Sequence, residues 1–424
     1  MTARQTGAGR TGAATDRDNW AGTYTFTAPR IEHPETVEEV ARLVRESEHV
    51  HALGTRHSFT DLPDTAGTLI QTDRLRTAPT LDETARRVNV GAGTRYGVLA
   101  EWLHARGWAL HNMGSLPHIS IAGATATGTH GSGDRLGILS TAVSGLEFVA
   151  SDGSVERVGR GDTDFDGLVV GIGAFGVVTS VTLDVEPTYD VRQDVYTGLT
   201  WDALLDDPGE IFGAAYSVSV FAKWAAETTE SVLLKSRIGV DGPSPDRIAG
   251  ARIEEAGAVV PASATQRGGV PGPWSLRLPH FRLDATPSIG EELQAEYFVP
   301  REKAAAALRA VREFADRIDP VLGMTELRTT AADSLWLSGS SERDTFAIAF
   351  TFLRRPAEVY ALLPDLEAAL RPFGARPHWG KAHTFDAARI AEVWPLAQRA
   401  RELFDRLDPR GAFVNDHLRR LGVR

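Results

Sequence analysis

Apolar and polar positions change rhythm part-way along the chain, and the rhythm predicts most of its elements. Pro34 precedes Thr36 and Glu39, the spacing of a capping pair, and Val37, Val40, Ala41 and Val44 then recur at helical intervals. Residues 51–53 read as a short strand running straight into Gly54-Thr55-Arg56-His57-Ser58-Phe59. Leu69-Ile70 and 88–90 read as further strands, and 96–104 as a helix ended by Gly107. Residues 146–150 and 155–158 flank Asp152-Gly153 as a hairpin. From about Tyr189 onward apolar and polar residues alternate strictly, the period of half-buried strands, interrupted by a Pro/Gly-rich loop at 268–279. Residues 300–318 are predicted as one helix, with Pro300 first and Leu308, Val311, Phe314 and Ile318 on its apolar side.

The alternation also sorts chemistry onto faces. In Met324-Thr325-Glu326-Leu327-Arg328 a strand puts Glu326 and Arg328 on one side and Leu327 on the other. Gln294 and Glu296 share a side in the same way. In 346–352 the Phe and Ile residues form one face, and Ala347, Ala349 and Thr351 the other. A solvated sheet face and a face that makes room for a ligand both fit this pattern. Lys381, within His378-Trp379-Gly380-Lys381, adds a cation unlike one in a surface lysine run.

Two glycine-rich stretches need separate treatment. Residues 112–133 contain no Asp, Glu, Lys or Arg and are rich in Gly, Ser and Thr, so they offer backbone N–H groups and hydroxyls as a diphosphate cradle. Gly171-Ile172-Gly173-Ala174-Phe175-Gly176 matches the dinucleotide pattern GxGxxG, but that mechanism requires a helix to follow. The next residues, 177–183, are β-branched and alternating, so a strand is expected and a nicotinamide site is not.

At 424 residues two domains are expected. A net charge of −11 speaks against a nucleic-acid surface and makes a small neutral substrate the expectation. The chain has no cysteine, which excludes disulfides, thiolate metal sites, iron–sulfur clusters, cysteine nucleophiles and any cysteinyl cofactor link. No metal site is expected. The first eighteen residues lack the apolar core of a secretory signal and read as a disordered tail. The most apolar stretch, 167–183, is interrupted by glycines and reads as buried strand and turn, so no membrane association is expected and a cytoplasmic location is.

Taken together the segments resemble the vanillyl-alcohol-oxidase superfamily of flavoproteins, and within it the bacterial alditol (xylitol) oxidases. The resemblance runs from Asn19-Trp20-Ala21-Gly22 to 407–415. It is carried by 54–59, Ser115-Leu-Pro-His-Ile-Ser120, Ala126-Thr-Gly-Thr-His-Gly-Ser132, Gly269-Val-Pro-Gly-Pro-Trp274 and 378–381. It implies an α+β fold of two domains: an FAD-binding domain over 19–187, a substrate domain with a large antiparallel sheet over 188–384, and a segment over 385–424 returning to the first. It implies FAD bonded covalently to the imidazole of His57. Ala52, Leu53, Gly54, Thr55, Arg56 and Ser58 would wrap the pyrophosphate. Gly114, Ser115, Ser120, Gly123, Thr127, Gly128, Thr129, His130, Val178 and His378 would complete the cofactor site. Ser115, Gln294, Glu326, Arg328, Ala349, Thr351 and Lys381 would meet the substrate, with Lys381, Arg328, Glu326 and Ser115 at the chemistry.

The activity implied is transfer of a hydride from a terminal carbinol of a polyol, with dioxygen reduced to hydrogen peroxide, by a monomer. Gly114, without a side chain to shield the flavin, points to an oxidase. An aldonolactone oxidase or dehydrogenase is the alternative within the family, and a catalytically silent flavin-binding protein the alternative outside it. Two positions depart from the pattern. Arg56 stands where many relatives have glycine, and Ala349 where the best-matching relatives carry a histidine facing the polyol. The group that accepts the hydroxyl proton is left open.

Overall fold

The computed structural model describes residues 16–75, 77–254, 261–285 and 292–424. The tail expectation over 1–15 lies outside them. Residues 16–18 do not follow it: Arg17 donates to the Ala28 carbonyl at 2.7 Å, and Asp18 accepts from the Thr25 hydroxyl at 2.7 Å.

Three larger sheets and one two-stranded pair, Trp108–Ala109 with Glu186–Pro187, organise the described residues. In the first, Thr68–Gln71 lies between Arg30–Glu32 and Val50–Leu53, all parallel. The helix Val37–Glu46 provides the connection between its outer strands. Thr36 caps that helix by accepting from the Glu39 N–H, and Val40, Ala41, Leu43 and Val44 are buried. Glu39 reaches back one residue further than a capping box predicts, accepting from the Glu35 N–H at 2.7 Å. The strand Val50–Leu53 therefore delivers 54–59 to the sheet's end.

The second sheet is antiparallel and five-stranded, in the order Thr80–Asp82, Arg87–Gly91, Val177–Asp184, Val143–Val149, Val155–Gly159. Its central strand follows the GxGxxG match, as expected. Gly173 has φ +77, and a β-carbon there would run into the His51 ring, so the glycines serve a tight turn beside a bulky neighbour.

The third sheet has ten strands. At its centre Ser217–Ala222, Leu322–Thr330, Thr345–Leu353 and Glu292–Pro300 are antiparallel neighbours. One face carries Leu293, Tyr297, Leu327, Phe346, Ile348, Phe350 and Phe352, all buried. Helices Ala304–Arg312 and Pro356–Leu370 bury their own Leu308, Val311, Leu363 and Leu366 in the same core. The opposite face is free for the site.

The single helix over 300–318 is not found. Pro300 ends the strand Glu292–Pro300, pairing with Thr345, because an edge-compatible φ serves a strand end as well as a helix start. A 3-10 turn over Arg301–Lys303 precedes Ala304–Arg312, and tightened i+3 bonds then lead into Ala315–Ile318. Residues near the end of the chain pack against the first hundred: Ala412 accepts from Val50 N–H, and Asn415 donates to the carbonyls of Leu62 and Asp64, each at 2.8 Å.

Candidate active site and cofactor cleft

Strand register assembles the polar face in rows. Glu326, Ala349 and Glu296 are opposite one another on three adjacent strands. Arg328, Ala347 and Phe298 form the row on one side, and Met324, Thr351 and Gln294 the row on the other. The residues 378–381 extend this face. His378 N–H bonds to the Glu296 carbonyl and Ala382 N–H to the Gln294 carbonyl, while Trp379 stacks on Trp394 at 4.4 Å. Lys381 is thereby carried to the Glu296 row.

The face closes over a cavity of about 630 Å³. Its other walls are the stretches expected from sequence: 52–59, 114–116, 119–120, 122–127, 129–130 and Val178. Of the expected cofactor residues only Gly128 does not line it. With φ +71, Gly128 turns the chain between Thr127 and Thr129, which do. The stretch 112–133 contains a short helix, Ile121–Ala126, whose Ile121, Ala124 and Thr125 are buried at helical spacing. Both ring nitrogens of His57 are buried.

His57 is held by shape. Its ring stacks on Trp20, centroids 4.9 Å apart and planes 20° from parallel. Neither ring nitrogen has a partner among the described residues, although imidazole nitrogens buried in protein are ordinarily paired. Burial, and then the neighbouring His118, push its pKa down to about 3, so the ring is a neutral nucleophile at any working pH. Ser120 Oγ is likewise buried without a partner. A β-carbon on Gly54 would collide with that hydroxyl, and Ser120 N–H donates to Thr55 Oγ1 at 3.0 Å, tying the two cradle strings together. An unpaired imidazole, an unpaired hydroxyl and a glycine-lined wall free of carboxylates suit a large anionic dinucleotide with an electrophilic ring carbon. The residues present fit FAD.

Arg56, immediately before His57, has φ +64. Its side chain donates to the Asp18 carbonyl at 3.3 Å. This is the left-handed region that glycine enters freely and other residues at about 1–2 kcal/mol, so the departure from glycine has a physical price. Arg56→Gly is expected to raise the unfolding free energy by about 1 kcal/mol, net of the lost side-chain contact. Thermal denaturation of the two proteins checks this; a lower melting temperature in the glycine variant would mean that the arginine contacts outweigh the strain.

Charged groups that also line the cavity are linked in two sets. Arg328 is 8% exposed and clamps Glu326 through Nε at 2.6 Å and through its terminal nitrogen. The same guanidinium reaches Ser115 Oγ. Glu326 Oε1 also bonds His280 Nε2 at 2.7 Å. Burial alone would raise the Glu326 pKa; Arg328 and then His280 bring it well below the usual carboxylate range. In the second set, buried Glu296 joins Lys381 at 2.6 Å and His130 Nε2 at 2.9 Å. Burial again opposes and the Lys381 and His130 contacts prevail, holding Glu296 ionised.

Lys381 is therefore paired with a buried carboxylate. Lys381→Met should strand a buried carboxylate and lower stability by about 3 kcal/mol. Lys381→Met/Glu296→Gln should recover most of that loss and none of the turnover. Because the Glu296 pKa is depressed in the folded state, its contribution is present above the ordinary carboxylate pKa and lost as pH falls; the double variant should lack that acid limb. Equal melting temperatures for single and double variants would remove the ion pair from this account.

Glu296, His280, Lys235 and Arg267 were not among the expected site residues, yet Glu296, His280 and Arg267 line the cavity and Lys235 bonds His280. Glu296 had been placed on the right face by alternation. His280 lies in an irregular Pro/Gly-rich stretch without a period to read, and Arg267 likewise. Arg267 Nε is buried with no acceptor among the described residues. Gly114 lines the cavity, where a β-carbon would make only ordinary contacts, the nearest 3.6 Å from Thr129.

Comparison with known proteins agrees with this geometry. A family model described as FAD binding domain matches residues 29–159, and one described as D-arabinono-1,4-lactone oxidase matches 291–421. The chain is 44% identical over 410 residues to an alditol oxidase from a Streptomyces species, covering 95% of this chain and 98% of that one. It is 30% identical to an L-gulono-1,4-lactone dehydrogenase from Mycobacterium tuberculosis, with 95% and 98% covered. In fold it is similar to a cholesterol oxidase from B. sterolicum, with TM-score 0.78, 16% identity, and 95% and 96% covered.

Proposed function

The chain belongs to the alditol-oxidase family of FAD-binding flavoproteins, within the vanillyl-alcohol-oxidase superfamily, and from that premise we propose that it oxidises a terminal carbinol of a small neutral polyol, with dioxygen as final electron acceptor and hydrogen peroxide as second product. The observation that carries this reading is that Arg328, Glu326 and Glu296 on one sheet face, with Lys381 bonded to Glu296, line the same cleft as His57. Residues 52–58, Gly114, Ser115, Ser120, Gly123, Thr127, Thr129, His130, Val178 and His378 would hold FAD, with His57 bonded to it. Bound FAD supplies the hydride acceptor and the path of its electrons to dioxygen.

The side chains do the rest. An alcohol proton is too weakly acidic to leave unaided, so cations must oppose the charge that grows on oxygen as the C–H bond breaks. Arg328 and Lys381 are the groups for this, each already aimed by a carboxylate, Glu326 and Glu296. Ser115, on Arg328, offers a hydroxyl at the same point. Thr351 and Gln294, one row away, are placed for the remaining hydroxyls of a chain-like substrate. Part of the same proposal is a cytoplasmic location, which the cysteine-free sequence suits, and a monomeric state.

An anaerobic screen of flavin bleaching by alditols, 1,2-diols and aldonolactones tests the reading. Bleaching by alditols first supports it; bleaching by lactones alone replaces it with the lactone activity of the gulonolactone relatives. The screen is informative a second time on Ala349→His. Ala349 lies between Glu326 and Glu296 across the strands, so an imidazole there would be flanked by two carboxylates. A hydrogen bond to a buried hydroxyl is worth about 1–3 kcal/mol, so efficiency on xylitol and sorbitol should rise at least about tenfold. No gain on long polyols would mean that position 349 does not meet the substrate.

A further inference from the structure

Lys235 lies in the strand Ser231–Arg237 and is 2% exposed. Buried lysines ordinarily sit beside a carboxylate. Among the described residues Lys235 makes no ion pair; its amine meets the Leu278 carbonyl and, at 3.1 Å, His280 Nδ1. Both partners are acceptors. A neutral amine has two N–H bonds for two acceptors, whereas an ammonium would bury a third donor unpaired. Burial, Arg328 and Arg267 all act in the same direction against the opposing Glu326, and bring the Lys235 pKa down to about 7.

The carboxylate determines the next link. Glu326 Oε1 stands 2.7 Å from Nε2 and can only accept, so His280 carries its proton on Nε2 and its Nδ1 is left to receive the Lys235 N–H. Burial and then Lys235 lower the His280 pKa to about 4, so the ring is neutral. In the other neutral tautomer a lone pair would face the carboxylate, acceptor against acceptor. Glu326 in turn receives from Arg328, which donates to Ser115. The donors converge on Glu326: Lys235 donates to His280, His280 and Arg328 both donate to Glu326, and Arg328 also donates to Ser115.

We propose that Lys235 is a positioning residue for the oxidation: by donating to His280 Nδ1 it fixes the Nε2–H tautomer, and that tautomer holds Glu326 in register for Arg328. The proposal rests on the reading that Arg328 meets the reacting hydroxyl. Without the amine, the Leu278 carbonyl and Nδ1 both lose their donor, and Glu326 alone is left to select the Nε2–H tautomer.

Selective 15N-histidine labelling of the flavin-loaded protein reads the tautomer directly, with the His280 signal assigned by its absence in His280→Gln. The expected result is Nε2–H alone in the unmutated protein and a measurable Nδ1–H population beside it in Lys235→Met. Turnover of an alditol should fall about tenfold in Lys235→Met, the scale of one misplaced hydrogen bond, with KM changed less than about threefold. His280→Gln, whose amide accepts from Lys235 and donates to Glu326, should keep at least about a third of the rate, and His280→Leu should not. Nε2–H as the sole signal in Lys235→Met, or equal rates in the Gln and Leu variants, overturns the proposal. If the Lys235 variant does not fold, the His280 pair decides. If the unmutated protein oxidises no alditol, the functional reading falls while the tautomer measurement still decides this inference.

Discussion

Arg328→Leu should slow anaerobic bleaching of the flavin by an alditol by about a hundredfold or more, the scale of removing one preorganised donor from an oxygen that becomes negative. The size follows from where the guanidinium sits. It is nearly buried, so its charge is little screened, and its partners Glu326 and Ser115 leave it no other orientation. The substitution also leaves the Glu326 carboxylate in a dry site with His280 as its remaining polar partner, so the carboxyl pKa should rise. In the unmutated protein that pKa is depressed, and the stability it contributes is present above the ordinary carboxylate pKa of about 4.3 and lost as pH falls below it. In the variant that contribution should shrink or vanish, so less stability should be lost as pH falls through the carboxylate range. Retention of FAD should change little, because the proposed attachment at His57 does not involve Arg328. Stopped-flow reduction within about threefold of the unmutated rate would show that Arg328 does not face the growing charge.

His57→Ala should abolish the attachment of FAD. Acid-precipitated and washed protein is expected to stay yellow, with fluorescence migrating with the chain on a denaturing gel; the alanine variant is expected to lose both. The geometry behind this is a neutral imidazole with two buried, unpaired nitrogens, steadied by Trp20 and lining the cleft. The absence of cysteine allows only a single histidyl link. Free FAD in the supernatant of the unmutated protein would refute the link while leaving FAD binding intact.

Period carried much of what could be read beforehand. Strict alternation placed Glu326, Arg328, Gln294, Glu296, Ala349 and Thr351 on one sheet face, and the strand register puts them in three adjoining rows. The strand after Gly176 showed that the GxGxxG string was no nicotinamide motif, and the structure gives it a turn beside His51. What periodicity could not supply were contacts between distant segments. His280 reaches Glu326 from an irregular loop, and Lys235 reaches His280 from another strand. Whether Lys381 is free or paired depends on how 378–381 docks on Glu292–Pro300, a tertiary fact. The helix over 300–318 failed because proline suits a strand end as well as a helix start. The likeness to a known family, not the spacing, singled out His57.

The contacts that Asn415 makes with Leu62 and Asp64 span 353 and 351 residues of chain. During synthesis the first of these partners leaves the ribosome long before the last. At roughly 5–20 residues per second the gap amounts to roughly 20–70 s. Through that interval the first sheet lacks the strip formed by Ala412, Phe413 and Asn415, and its core residues Val40, Val44 and Val50 stand partly uncovered. The first sheet, whose strand Val50–Leu53 leads into the cleft wall, is thus covered late, which makes the nascent protein dependent on protection from aggregation for longer than its sheet count alone would suggest.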